Sequence, residues 1–123
     1  MLKGRLEHAN ISVTDPDRSA ALLADMLSWR ERWRGPSMNG GRTIHLGSED
    51  AYIALYTGDH VAGGFDKGQP LNHIGFVVDN LDAAESVVVA HGLQPFNHAD
   101  YEPGHRFYFL DWDGIEFEVV SYE

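Results

Sequence analysis

Leu71-Asn72-His73-Ile74-Gly75-Phe76-Val77-Val78-Asp79 follows a Gly-rich segment, has the apolar run of a buried strand and carries a histidine near its start. An earlier stretch, Leu6-Glu7-His8-Ala9-Asn10-Ile11-Ser12-Val13-Thr14, is its twin. Leu6 falls on Leu71, His8 on His73, Val13 on Val78 and Asp17 on Asp82. A chain that repeats a strand with its histidine in place is built from two copies of one unit.

Working outward, the same element order follows each copy. Residues 5–13 alternate as a strand, with Leu6, His8, Asn10 and Ser12 on one mostly polar face. Thr14 or Asp15 then caps a helix with Pro16 in its first turn and an apolar stripe of Ala20, Leu23, Met26 and Leu27, running to about Trp29. A short strand over Arg30–Arg34, a turn at Asn39-Gly40-Gly41, and strands 42–47 and 51–57 complete the first unit. Gly58–Pro70, with four glycines and no periodicity, is expected to be a linker. The second unit repeats the order: strand 71–79, a helix near 81–91 with Asp82 and Glu85 as capping box, then strands at 93–98, 105–110 and 115–121. The expected fold is α+β, a single domain over residues 1–123 made of two tandem βαβββ modules, 1–58 and 71–123, joined by residues 59–70. The internal offset is 65 residues at the first strand and 64 at the last, where Ile53-Ala54-Leu55-Tyr56 matches Phe117-Glu118-Val119-Val120.

Composition excludes several classes of function. The chain has no cysteine, hence no disulfide and no thiolate ligand or nucleophile. No apolar run approaches the ~20 residues of a membrane span, and Met1–Arg5 does not begin a signal peptide, so the expected location is the cytoplasm, away from membranes. A net charge of −10 argues against a nucleic-acid partner.

In the last strand, period-two alternation puts Ile115, Phe117 and Val119 on one face and Glu116, Glu118 and Val120 on the other. Glu118 thereby shares the polar side with His8 and His73 if the sheet curls. Two imidazoles and a carboxylate form a facial triad, suited to a divalent Fe, Mn, Ni or Zn ion with positions left for substrate. Alone, each histidine would be an ordinary hydrogen-bonded strand residue; the repeat is what joins them.

The chain resembles the vicinal oxygen chelate superfamily, which includes glyoxalase I, extradiol dioxygenases, fosfomycin-resistance proteins and bleomycin-resistance proteins. The resemblance lies in Leu6-Glu7-His8, Asp15-Pro16-Asp17-Arg18-Ser19, Asn72-His73-Ile74-Gly75 and Phe107-Tyr108-Phe109-Leu110-Asp111-Trp112-Asp113-Gly114, with Glu118 four residues beyond. It implies eight strands in a cupped mixed sheet with helices outside, a metal held by His8, His73 and Glu118, and a homodimer whose sites can be shared between chains. It also implies an active-site tyrosine at Tyr108, donating a hydrogen bond to developing charge.

The family's branches differ at a few positions. Glyoxalase I has a fourth ligand, a glutamate, where this chain has Ala54, so isomerisation by proton transfer needs another base. The three-ligand pattern is closer to dioxygenases and thiol transferases. Fosfomycin-resistance proteins carry threonine and lysine near the positions of Asn10 and His98 and a basic residue beyond the last strand; Arg106 is the candidate cation here. His45, His98 and His105 are available as acid or base. The expected function is a metal-dependent lyase, dioxygenase or transferase acting on a small molecule with adjacent oxygens. The alternative is a metal-free binder of cationic aromatic drugs, using the negative charge with Trp29, Trp33, Trp112, Tyr52 and Tyr56.

Overall fold

The computed structural model describes residues 2–101 and 103–123. They form an α+β fold of eight strands and two helices in two compact units, Met1–Ala62 and Gly63–Glu123. The first unit runs β1 (His8–Ser12), α1 (Pro16–Leu27), β2 (Arg30–Pro36), β3 (Arg42–Gly47) and β4 (Tyr52–Thr57), with a 3-10 turn at Met38–Gly40. The second runs β5 (Ile74–Val77), α2 (Leu81–Ala90), β6 (Phe96–Tyr101), β7 (Gly104–Leu110) and β8 (Glu116–Ser121). Each unit holds one mixed four-stranded sheet, ordered β1-β4-β3-β2 and β5-β8-β7-β6. In both, the first strand lies parallel to the last and the other neighbours are antiparallel.

The repeat holds at the level of register. Ala9 faces Ile53 and, in the second unit, Ile74 faces Phe117, which reproduces the offsets of 65 and 64. Further along the sheet, the row Trp33–His45–Ala54–Asn10 recurs as Phe96–Tyr108–Glu118–Gly75. Each edge strand also carries one irregularity, on opposite sides of the Trp33/Phe96 position: β2 shifts register between Glu31 and Trp33, and β6 between Phe96 and Ala99. Such bulges bend an edge strand and blunt its open hydrogen-bonding side.

Helix α1 covers β3 and β4, burying Leu22, Leu23 and Met26 against the sheet. Helix α2 covers β7 and β8 with Ala84 and Val88. The apolar strand faces supply the rest of each core: Ile44 opposite Leu55 in the first unit, Phe107 opposite Val119 in the second, all buried.

Several expected boundaries move, each for a local reason. Asp15 caps α1 by accepting from the Arg18 N–H at 3.1 Å, and α1 stops at Leu27 because Ser28 turns left-handed, so Trp29 lies outside it. The stripe also rotates: Leu22 is buried and Leu27 only half-buried. Asn80, not Asp82, caps α2, accepting from the Ala83 N–H at 3.0 Å. The expected strand at Leu93 starts only at Phe96, because the Leu93 N–H bonds back to Val88 and closes the helix exit around Gly92 at φ +84°. The expected strand 71–79 is ordered as β only over Ile74–Val77, leaving His73 just before it.

The glycine-rich segment also does more than link. Its second half belongs to the second unit, where the Phe65 N–H donates to the Asp113 carbonyl at 2.8 Å. Gly114 makes this approach possible: at φ +87° a Cβ would sit 3.3 Å from the Phe65 oxygen. Among the described residues no helix is long and apolar enough to cross a membrane.

Candidate functional site

In the second unit the polar face of β8 collects the expected residues. His73 Nε2 lies 3.1 Å from Glu118 Oε1, and the Tyr108 ring meets the His73 ring edge-on at 5.9 Å between centroids. Tyr108 is the cross-strand partner of Glu118, so the β7–β8 ladder itself places it there. Gly75 is the neighbour of Glu118 on the other side, where a Cβ would meet Glu118 Oε1 at 3.9 Å, an ordinary contact distance.

Charge on this face is balanced by cations. Arg106 donates to Glu118 Oε2 at 2.9 Å, with both side chains largely enclosed, at 16% and 14% exposure. Lys67, from the glycine-rich segment, grips both oxygens of Glu116 at 3.0 and 2.9 Å. Glu116 in turn lies 3.9 Å from His73 Nδ1. The alternation of β7 and β8 marks Arg106 and Glu116 in the sequence, but nothing there marks Lys67, which reaches the face from an irregular segment.

His8 lies in the first unit, at the start of β1, and has different neighbours. Its ring stacks on Tyr52 at 4.8 Å, and Tyr52 stacks on His45 at 4.6 Å. Trp33, 48% exposed, tilts onto His45 at 5.0 Å, and the Arg32 guanidinium sits 4.5 Å from the Tyr52 centroid. Burial, followed by the charges of His8 and Arg32, holds the His45 imidazole below its ordinary pKa and so in its neutral form. His45 faces Ala54 across the ladder, the position that Tyr108 holds beside Glu118 in the other unit. The sequence offered His45 as one available histidine among three; only the register singles it out.

The other two are engaged elsewhere. His98 pairs with Glu85 at 2.9 Å and His105 with Asp100. Both line a cavity of about 500 Å³ with Asp79, Asn80 and Arg106 at the α2 start. The loose Arg30, Arg32, Arg34 cluster is dispersed as well: Arg34 bonds Glu31 and Asp17, which also pairs with Arg42.

The donor atoms suit a divalent ion. Neighbouring ligands on an ion with bonds of about 2.1 Å stand roughly 3 Å apart, the spacing of His73 Nε2 and Glu118 Oε1. Among the described residues, no group of three or more His, Asp or Glu side chains is gathered in a metal-holding arrangement. The structure therefore brings His73, Glu118 and Tyr108 together, while His8 stands with the first unit.

The sequence model of the glyoxalase/bleomycin resistance protein/dioxygenase superfamily matches residues 5–119. The chain belongs to this superfamily. The glyoxalase-superfamily fold recurs in solved structures. A glyoxylase/bleomycin resistance protein/dioxygenase domain from Frankia sp. EAN1pec is 25% identical, with a TM-score of 0.82 over 98% of both chains. The fosfomycin resistance protein FosX from Mesorhizobium loti is 25% identical, with a TM-score of 0.75 over 98% of this chain and 92% of that one. FosX from Listeria monocytogenes, as an E126Q mutant crystallised with Mn(II) and 1S,2S-dihydroxypropylphosphonic acid, has the same fold. It is 22% identical, with a TM-score of 0.76 over 98% and 90%. No curated protein matches the chain.

Proposed function

We propose that this superfamily member is a divalent-metal-dependent enzyme acting on a small molecule with two adjacent oxygens, its metal held by His8, His73 and Glu118. The observation that carries the reading is the His73–Glu118 pair at donor spacing with Tyr108 beside it. The Mn(II) in the Listeria relative is the precedent for the ion. A divalent ion of the Fe, Mn, Ni or Zn type would bind the adjacent oxygens and stabilise negative charge developing on them. The Tyr108 hydroxyl donates a hydrogen bond to that charge. Arg106 holds one oxygen of Glu118 and leaves Oε1 turned toward His73. His45, kept neutral by burial, is the group able to take a proton where Ala54 cannot. Three ligands without a fourth carboxylate favour dioxygenase- or thiol-transferase-like chemistry over glyoxalase I isomerisation. The active form is a cytoplasmic homodimer, with sites that can draw on both chains.

The rival reading, metal-free capture of a cationic aromatic compound, would use the Trp33–His45–Tyr52 surface. Arg32 over Tyr52 disfavours it, because a cation already occupies that ring.

Elemental analysis of protein purified without a histidine tag separates the two. One equivalent of metal per chain, lost in His73→Ala, is the expected result. Full loading of that variant, or no metal under any reconstitution, overturns the triad. Oxygen uptake with catechols, thiol transfer to fosfomycin and hemithioacetal turnover then distinguish the reaction classes.

A further inference from the structure

The two histidines share a feature that the ligand set alone does not require. His8 Nδ1 lies 2.7 Å from Glu7 Oε1, and His73 Nδ1 lies 2.7 Å from Asn72 Oδ1. Each histidine is thus held, through the same ring nitrogen, by an oxygen on the side chain just before it. The two modules differ in nearly every other neighbour of these rings, Tyr52 against His8 and Tyr108 against His73.

We infer that Glu7 and Asn72 are positioning residues that fix both histidines as Nδ1–H tautomers and turn their Nε2 lone pairs toward the metal. This rests on the metal reading proposed above. The physical argument is one of donors and acceptors. A carboxylate oxygen can only accept, and so can an amide oxygen, so a neutral ring that keeps this bond carries its proton on Nδ1. Nε2 is then left with its lone pair and no proton. At His73 that lone pair faces Glu118 Oε1, itself an acceptor, across 3.1 Å. Two acceptors facing each other at that distance need a cation between them, a proton in the metal-free protein or the ion that displaces it. Partners that hold the far nitrogen of a ligating histidine set its tautomer, its ring angle and its basicity. The two holders are chemically unequal: the Glu7 carboxylate polarises His8 more strongly than the Asn72 amide polarises His73.

The test uses the full chain, stripped of metal, with Mn(II) and Zn(II) as probes. Long-range nitrogen–proton NMR on the metal-free protein reads the tautomer of each histidine, and calorimetry reads the affinity. The wild-type chain is expected to show protonated Nδ1 at His8 and His73. Asn72→Ala is expected to lose that signature at His73 alone, and Glu7→Ala at His8 alone, each weakening metal binding about 10- to 100-fold. Asn72→Asp, which keeps an acceptor oxygen, is expected to bind at least as tightly as wild type, and Glu7→Gln to lie between wild type and Glu7→Ala. Both side chains are exposed, so folding is expected to survive, and an unchanged amide spectrum checks it. Equal affinity and unchanged tautomers in both alanine variants, with wild type binding metal, overturn the positioning role and leave the metal reading intact. Failure of wild type to bind either ion overturns the metal reading, and with it the role given to Glu7 and Asn72.

Discussion

The two modules have one backbone and two chemistries. Strand order and register repeat, yet the face beside each histidine is rewritten. In the first module Tyr52 and His45 make an aromatic and imidazole stack, and Ala54 and Thr43 stand where the second has Glu118 and Arg106. In the second, Glu116 and Glu118 are each answered by a cation, Lys67 and Arg106. The ladder fixes where a side chain points, and leaves what it is open to change. A duplicated sheet can therefore keep its core and divide the labour of its two polar faces.

The strongest blow to this picture comes through the core. Ile44 and Phe107 occupy equivalent buried positions opposite Leu55 and Val119. Phe107→Ala is expected to cost about 3–5 kcal/mol and Ile44→Val about 1 kcal/mol. Calorimetry of the two variants checks both values. If each shifts one common transition, the modules melt together; a separate transition moved by one variant alone would show that they do not.

The next test recreates the missing carboxylate. Ala54→Glu places an acid at a position with 2% exposure and no equivalent of Arg106, so stability is expected to fall on the order of 3 kcal/mol in the metal-free protein. Thr43→Arg added to it is expected to recover part of that loss. Denaturant unfolding of the single and double variants reads the difference. Recovery of nothing would mean that the Arg106–Glu118 pairing does not transfer between the modules.

The smallest expected effect is in pH. The unfolded chain protonates His45 at its ordinary value of about 6.5, while burial holds the folded value lower. Between the two values the unfolded state binds more protons, so stability rises with pH through that window and is lost as pH falls through it. His45→Gln is expected to flatten this slope. An NMR titration of metal-free protein that puts the His45 midpoint at or above 6.5 would show that the Tyr52–Trp33 stack does not desolvate it.

Much of this was legible in the sequence, and the reasons are specific. The alternation in 115–121 separated Glu118 from Phe117 and Val119, and the repeated Leu-x-His located both histidines, because side-chain direction in a strand follows a strict period of two. The Asp-Trp-Asp-Gly turn was equally plain: Asp111 Oδ1 accepts from the Asp113 and Ile115 N–H groups, which ties it down. Boundaries were less legible, since Leu93 looks like a strand residue until its N–H is seen closing α2. Lys67 was not legible at all. Its bond to Glu116 spans 49 residues and starts from a segment without periodicity. His45 needed the register, because only cross-strand pairing separates it from two other histidines.

The parallel pairing of first and last strands has a consequence for how the chain is made. Among the described residues, strand β1 has β4 as its only neighbour in the sheet, and β5 has β8. As the polypeptide leaves the ribosome, His8 emerges ahead of the other strands of its module, but its strand has nothing to bond until Tyr52–Thr57 follow. The antiparallel pairs β2–β3 and β6–β7 join near neighbours in sequence and lose less chain entropy on closing, so they form ahead of it. Each histidine is thus synthesised early in its module and seated late. A ribosome pausing before β4 or β8 leaves a half-built sheet whose histidine strand is still loose.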